Sequence, residues 1–233
     1  MATTDAIQPL LAYEYQPLRP GPNNIRLLQI LPGTGDADIS CQVFQYTLRT
    51  EKAFGLYEAL SYVWGDSANP HQIRVKNAED EHYRTFSVTK NLFAALLRLR
   101  DADLPRTFWV DAICINQNDL AERASQVQIM ARIYAYAVSV TVWLGEGDDD
   151  SSQVFNLMRR IVADDVKYSY DWRATAKAIL APASEAILAL LNRSWFRRAW
   201  VHSPELSLLS VLTTTGRAGS SGCKNRVCNM WRC

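Results

Sequence analysis

Residues 107–144 have the sequence TFWVDAICINQNDLAERASQVQIMARIYAYAVSVTVWL, and this stretch decides the fold class. It begins with an apolar, β-prone run, Thr107 to Ile113, which predicts a buried strand. It ends with a second such run, Val138 to Leu144, which Gly145 closes. A helix between two buried strands is typical of a parallel sheet with right-handed crossovers, so we expect an α/β fold.

The segment between these strands predicts the clearest helix of the chain, over residues 119–136. Asp119 and Glu122 have the D-x-x-E spacing of a capping box, so Glu122 is expected to pair with the helix start. An apolar stripe at helical spacing is expected to face the core, and it consists of Leu120, Val127, Met130 and Tyr134. The helix is expected to cross between the two strands.

Further elements are predicted toward the N-terminus. Tyr57 to Trp64, with the sequence YEALSYVW, predicts a strand near 58–63 that joins the parallel core. Thr89 or Asn91 can cap a helix from about Leu92 to Arg100. Two earlier strands and a hairpin are predicted at Ile25–Leu31, Cys41–Leu48, Ile73–Lys76 and Thr85–Val88.

The expected architecture is a mixed, largely parallel central sheet flanked by helices, with an N-terminal β-hairpin or meander added. Residues 1–24 are rich in proline and predict an extended N-terminal arm. Residues 25–206 form the expected domain. Residues 207–233 are rich in Ser, Thr, Gly and Cys without a clear period, which predicts an aberrant or disordered tail. Helices after residue 145 are predicted over 151–163, 173–180 and 183–191.

Composition and charge argue against several classes of function. The chain has 25 basic and 24 acidic residues, so no global field favours nucleic acid or an anionic membrane. No apolar run approaches the roughly 20 residues that span a bilayer. Met1 to Gln8 lack the basic start and apolar stretch of a signal peptide. We therefore expect a cytoplasmic protein without a membrane or nucleic-acid partner.

The five cysteines fit a reducing compartment and predict no metal site. Cys223, Cys228 and Cys233 follow a C-x4-C-x4-C spacing with no histidine nearby. A zinc site usually joins two cysteine pairs, so this signature is incomplete. Cys114, in the body of the chain, is expected to be a buried structural residue rather than a nucleophile.

Four stretches carry a family resemblance. YEALSYVWGD at 57–66, FWVDAICINQNDLAERASQVQIM at 108–130 and IYAYAVSVTVWLG at 133–145 resemble the opening motif, the central motif and the following strand of the fungal heterokaryon-incompatibility (HET) domain. RSWFRRAWVHSPE at 193–205 resembles the start of a further family motif, R-x-W-F-R-R-x-W-V-x-Q-E. The chain is therefore similar to HET domains over about residues 13–201.

This resemblance implies an effector or signalling module in non-self recognition and programmed cell death. Self-association or an upstream receptor would activate it. The family's Gln-Glu pair is missing after Val201, because Ser203, Pro204 and Glu205 stand there instead. The expected domain is thus incomplete or truncated at its C-terminal end, and a non-functional fragment is an alternative.

HET domains are also similar in pattern to TIR domains, which implies a TIR-like sheet and a second hypothesis, NAD glycohydrolase activity. NAD would be the substrate, and no bound cofactor is expected. The transition state is oxocarbenium-like, and a carboxylate stabilises it. Glu205 is the positional candidate for this catalytic carboxylate. Because Pro204 ends the helix before Glu205, we expect this chain to be weak or inactive as a killer and as an NAD hydrolase.

Two loops are candidates for the wall of a ligand pocket. Ligands of open α/β sheets bind beyond the carboxyl ends of strands. This rule selects the loop of Asp111, Asn116 and Gln117. Ser61, Trp64 and Gly65 form a second candidate, because an exposed serine and glycine at a strand end suit a nucleotide ribose or phosphate. The alternative is structural. The loop of Ser61 would be a plain turn, and Asp111 and Asn116 would bind backbone groups in the other loop. The sequence leaves both interpretations open.

Overall fold

The computed structural model describes the chain as two compact units, Met1–Trp143 and Leu144–Cys233. The described residues are 11–35, 37–48, 56–148, 151–152, 154–156 and 184–197. Several predictions lie outside these residues, namely the helix over 173–180, most of the helix over 151–163, Glu205 and the tail over 207–233.

The first unit contains a seven-stranded sheet among its described residues. In chain order the strands are β1 (Asn24–Ile30), β2 (Ser40–Thr47), β3 (Glu58–Tyr62), β4 (His71–Asn77), β5 (Arg84–Val88), β6 (Arg106–Trp109) and β7 (Val140–Trp143). Their order across the sheet is β5-β4-β2-β1-β6-β3-β7. β1 occupies the centre and is buried on both faces, as its run of apolar residues requires.

The strand pairings confirm a mixed sheet with the predicted parallel core. β3 lies between β6 and β7 and is parallel to both, with Ala59 paired to Trp109 on one side and to Val140 on the other. β1 is antiparallel to β2 and β6, whereas β2 is parallel to β4. β4 and β5 form the predicted antiparallel hairpin.

Helices cover both faces of this sheet. Arg106 and Trp109 point to opposite sides of β6, because side chains alternate along a strand. Arg106 Nη1 donates to the Leu99 carbonyl at 3.0 Å, and the Trp109 ring lies edge-on to Tyr134 with centroids 5.5 Å apart. Leu99 and Tyr134 lie on different helices, so these helices occupy opposite faces. In the part of this unit that the structure describes, the helices are α1 (Lys90–Leu99), α2 (Asp111–Cys114) and α3 (Leu120–Tyr136).

The predicted N-caps of α1 and α3 are confirmed. The Thr89 hydroxyl accepts from the Leu92 N–H at 3.3 Å. The Asp119 carboxylate accepts from the N–H groups of Ala121 and Glu122, both at 3.0 Å. These oxygens satisfy donors that have no partner within the first helical turn.

The predicted strand over 107–113 is too long, because β6 ends at Trp109 and α2 follows. The Cys114 N–H donates to the Val110 carbonyl at 2.7 Å, so the backbone closes a helical turn instead of extending the sheet. Ile113 and Cys114 are buried all the same. An apolar run predicts burial equally well for a strand and for a short helix, which explains the error.

The predicted buried face of α3 is wrong at two positions. Leu120 and Val127 are 68% and 55% exposed, and the buried residues of α3 are Gln126, Ile129 and Ile133. α3 carries apolar residues on two opposite sides, so their spacing does not choose between the sides. Long-range contacts determine which side of α3 is buried. One of them joins Gln126 Nε2 to the carbonyl of Asn24, the first residue of β1, at 2.9 Å.

Glu122 does not complete the predicted capping box. Its Oε1 accepts from the Asn116 N–H at 2.7 Å, and its two oxygens bind the Arg26 guanidinium at 2.6 and 3.0 Å. The Arg26 side chain is only 2% exposed. A buried guanidinium requires a carboxylate partner, so the long-range ion pair replaces the local cap contact.

Arg26 also holds the N-terminal arm and α2 in place. Nη1 donates to the Cys114 carbonyl at 3.2 Å, and Nη2 donates to the Gln16 carbonyl at 2.7 Å. The guanidinium lies over the Tyr15 ring, 5.0 Å from its centroid. The Tyr15 hydroxyl donates to the Ile113 carbonyl at 2.9 Å. The described part of the predicted extended arm is therefore docked on the sheet.

Cys41 and Cys114 are buried free thiols, which confirms the prediction for Cys114. Burial raises the pKa of each thiol to about 12, because the thiolate would lose its hydration. The Val110 N–H, which donates to the Cys114 sulfur at 3.3 Å, offsets part of this effect. Neither thiol is a nucleophile near neutral pH.

The second unit contains α4 (Ser184–Leu191), which confirms the predicted helix over 183–191. Arg193 follows α4, and its Nη1 donates to the Leu144 and Glu146 carbonyls, both at 3.1 Å. Its Nη2 binds the Asp148 carboxylate at 2.9 Å. Hydrogen bonds from Ser151 lower the pKa of Asp148. Across the described residues of both units, no helix has the length and apolar character to cross a membrane.

Removal of the Glu122 charge should destabilise the first unit strongly. Glu122→Gln leaves the buried Arg26 guanidinium without a counter-ion, so we expect a loss of about 3–5 kcal/mol in the free energy of unfolding. Urea unfolding followed by circular dichroism measures it. Glu14→Gln is the matched control, because Glu14 is 85% exposed and 3.8 Å from Arg84, and it should cost less than about 1 kcal/mol. Equal losses for both variants would contradict the role of the buried pair.

The core thiols should resist alkylation in the folded protein. With a pKa near 12, only about one thiol in ten thousand is ionised at pH 8, and burial also blocks the reagent. We expect iodoacetamide to leave Cys41 and Cys114 unmodified in native protein and to label both in denaturant, as peptide mass spectrometry will show. Rapid native labelling of Cys114 would restore it as a candidate nucleophile.

Candidate functional site

The carboxyl ends of β3, β6 and β7 lie at one edge of the sheet, because the three strands are adjacent and parallel. Ligands of open α/β sheets bind beyond such an edge. Trp64 follows β3 and Asp111 follows β6, so the fold brings together the two loops that the sequence selected. This strand-end edge is the candidate functional site.

A hydrogen bond joins the two loops. Trp64 Nε1 donates to Asp111 Oδ2 at 2.9 Å. The other carboxylate oxygen of Asp111 accepts from the Ala112 N–H at 2.8 Å, at the start of α2. The Trp64 side chain is nevertheless 42% exposed. The indole is therefore fixed in one orientation while much of its ring meets solvent.

The start of α1 binds the same edge. The Thr89 hydroxyl donates to the Trp64 carbonyl, and Asn91 Nδ2 donates to the Val63 carbonyl. Asn91 Oδ1 accepts from Trp143 Nε1 at 2.9 Å, so one amide connects the ends of β3 and β7. Sequence analysis proposed Thr89 and Asn91 only as helix caps and missed this second role. Their position at the start of α1, with Thr89 as the N-cap and Asn91 in the first turn, was the signal available.

Gly65 permits the sharp turn after Trp64. Its φ is +76°, a left-handed conformation that side chains disfavour. A Cβ at this position would lie 3.2 Å from the Asn91 Cβ, so the neighbouring helix also leaves little room. These constraints support the interpretation of Gly65 as a turn residue.

Ser61 is not the exposed strand-end serine that the sequence suggested. It lies inside β3, paired with Val142 of β7, and is 1% exposed. The strand runs one residue beyond it, to Tyr62, and the burial of Ser61 leaves its side chain almost no exposed area.

Asn116 and Gln117 stabilise the loop between α2 and α3. Asn116 Oδ1 accepts from the Asn118 N–H at 3.2 Å. Gln117 Nε2 donates to the Asp111 carbonyl at 2.9 Å. The first contact is within the loop and the second is to the first residue of α2, as expected for side chains that fix a turn. The geometry supports the structural interpretation for these two residues.

The contacts at the strand-end edge limit the chemistry that it offers. Asp111 accepts bonds on both carboxylate oxygens, and the amides of Asn91 and Gln117 also bind protein groups. Among the described residues, no cluster of three or more His, Cys, Asp or Glu could hold a metal ion. The exposed groups of this edge include the ring of Trp64 and, in the same loop, the side chain of Asp66.

A shallow groove of about 60 Å³ lies elsewhere, between the N-terminal arm and the β2–β4 part of the sheet. Arg26 lines it, but its guanidinium is occupied by Glu122 and backbone carbonyls. The guanidinium of Arg26 is therefore engaged within the protein, and the exposed charges that line the groove are those of Arg19 and Glu79. Its other lining residues are Gln16, Arg19, Val43, Phe44, Gln45, Asn77, Ala78 and Glu79.

Comparison with known proteins identifies relatives of this chain. A family model described as "Heterokaryon incompatibility protein (HET)" matches residues 57–203. "Heterokaryon incompatibility protein 6, OR allele" of Neurospora crassa is 29% identical over 237 aligned residues, which cover 85% of this chain and 34% of that protein. The chain thus spans about a third of the length of this curated relative. No solved structure matches the chain.

The match to the family model begins at Tyr57, where β3 is about to start, and includes every residue of the strand-end edge. It covers more than half of the chain. The chain belongs to the heterokaryon incompatibility (HET) family.

Proposed function

We propose that this chain is an effector or signalling module of heterokaryon incompatibility, which triggers programmed cell death after non-self recognition. The observation that carries the proposal is the family match over residues 57–203. The similarity to a Neurospora protein named for heterokaryon incompatibility supports it. Residues 25–206 would form the functional domain, acting in the cytoplasm.

The geometry of the strand-end edge supports action by contact rather than by catalysis. A catalytic acid, base or nucleophile needs a proton or lone pair directed at the substrate. Asp111 and Gln117 instead bind protein groups, and burial raises the pKa of the Cys114 thiol to about 12. These contacts hold the side chains of the strand-end edge in fixed positions, as suits a rigid binding surface. Self-association or an upstream receptor would then activate the module.

NAD cleavage by a TIR-like mechanism is the other hypothesis from the sequence. Its candidate carboxylate, Glu205, lies outside the described residues. None of the contacts at the strand-end edge favours this hypothesis. Nicotinamide release distinguishes this hypothesis from the first one in the experiment that follows.

Inducible expression in a filamentous fungus tests the proposal. We expect the chain to reduce viability weakly and Ser203→Gln/Pro204→Glu to reduce it strongly, because this variant restores the family's Gln-Glu pair. Asp111→Ala in that variant removes the acceptor of the Trp64 indole. Loss of a hydrogen bond to a charged group costs roughly 1.5–3 kcal/mol of stability. We expect this loss to weaken killing, so that viability recovers about tenfold. Colony counts at matched protein levels provide the measurement.

Asp103→Ala is the matched control, because Asp103 is exposed and precedes the other end of β6. It should leave killing unchanged. Full viability with both the chain and Ser203→Gln/Pro204→Glu would contradict the proposal. Nicotinamide release is measured in the same cells. Release by the unmodified chain that stops with Glu205→Ala would establish the NAD hydrolase hypothesis instead.

A further inference from the structure

α3 has a second apolar side that does not pack on the sheet. The residues Leu120, Ala124, Val127 and Ala131 follow one another at three- and four-residue steps, so they form one stripe along the helix. All four are exposed, and Leu120 and Val127 are 68% and 55% exposed. We call these four residues the α3 stripe. A surface helix ordinarily carries polar residues on this side.

The sheet contacts of α3 hold the stripe outward. Glu122 is bound to Arg26, Gln126 Nε2 donates to the Asn24 carbonyl, and the Ile133 carbonyl accepts from the Tyr57 hydroxyl at 2.6 Å. A rotation of α3 that buried the stripe would break all of these contacts. It would also leave the Arg26 charge unpaired in the interior, which is strongly unfavourable. The exposure of the stripe is therefore a fixed property of this fold.

The charges that flank the stripe along the helix are positive, whereas the exposed carboxylate of Asp119 precedes the first residue of the stripe and caps α3. Arg123 lies on one side of it and Arg132 on the other, and both are exposed. Neither forms an ion pair with a carboxylate in the described part of the chain. Glu122 is the one acidic residue of α3, and Arg26 neutralises it. The outward side of α3 thus combines an apolar centre with a cationic rim.

We propose that the α3 stripe is a docking surface for an amphipathic helix of a partner protein, with an apolar face and acidic flanks. Apolar faces of two helices pack when their side chains repeat at these spacings. Acidic flanks would pair with Arg123 and Arg132, and complementary charge sets orientation and association rate. The inference concerns binding alone and is independent of the proposed role in cell death.

Charge also selects against a second copy of this chain as the occupant. Two α3 stripes packed on each other would bring Arg123 and Arg132 of one copy against the cationic rim of the other. Like charges across an interface weaken it and suppress the wrong partner. An acidic helix meets no such repulsion, because its flanks are opposite in sign to both arginines.

A pair of synthetic peptides tests the inference on the 233-residue chain. Both peptides carry leucine at heptad positions a and d, with glutamate at e and g in the first and lysine in the second. We expect the glutamate peptide to bind in fluorescence anisotropy titrations, and the lysine peptide to bind about tenfold more weakly or not at all. Arg123→Glu/Arg132→Glu should reverse this preference.

Variants of the stripe separate docking from nonspecific adhesion. Val127→Glu should weaken binding of the glutamate peptide about tenfold or more, because it places a charge in the apolar centre. Val127→Ser serves the same purpose if Val127→Glu unfolds. Leu104→Glu is the matched control, since Leu104 is 66% exposed outside α3, and it should leave binding unchanged. Circular dichroism confirms that each variant is folded.

Two results would overturn the proposal. The first is equal binding of both peptides, or binding that neither Val127 variant weakens. The second is a dimer of the unmodified chain in analytical ultracentrifugation that Val127→Glu or Val127→Ser converts to monomer. That result would make a second copy the occupant of the α3 stripe.

Discussion

The buried ion pair between Arg26 and Glu122 is the constraint on which the first unit depends. Arg26 lies in the central strand and Glu122 in the first turn of α3, 96 positions later in the chain. Either charge alone would be costly in the interior, whereas the pair is satisfied by further bonds to backbone groups. It fixes where α3 begins on the sheet. The N-terminal arm and α2 are held because their carbonyls complete the bonding of the guanidinium.

The same pair decides which residues of α3 face the core. Once Glu122 faces Arg26, helical geometry turns Gln126, Ile129 and Ile133 inward, because they follow at three- and four-residue steps. Leu120 and Val127 then face outward, although their side chains are as apolar as those inside. An electrostatic contact thus overrides the hydrophobic pattern of the helix. The α3 stripe is a direct consequence of where the charge lies.

The elements that sequence could predict are those that depend on local chemistry. The parallel core follows from apolar runs around a helix, and the caps follow from Thr89 and Asp119. The residues of α2 were predicted as part of a strand, because a strand and a helical turn bury the same residues. Glu122 was predicted to complete a capping box, because its ion-pair partner is distant in the sequence. At the candidate site, the predicted strands ended near Trp64 and Asp111. Their hydrogen bond, and the second role of Asn91, depend on which strands are neighbours, which the motifs do not encode.

The polar side chains of the strand-end edge have a structural role in the fold. Trp64, Asp111 and Asn91 use their polar groups on one another or on nearby backbone, so changes at these positions would first disturb the sheet. Surfaces available to another molecule are those that the fold does not require. The α3 stripe meets this condition and offers apolar area. Partner proteins are recognised through such area with a charged or polar rim, whereas catalysis needs directed polar groups. The α3 stripe is the surface of the first unit that combines these two properties.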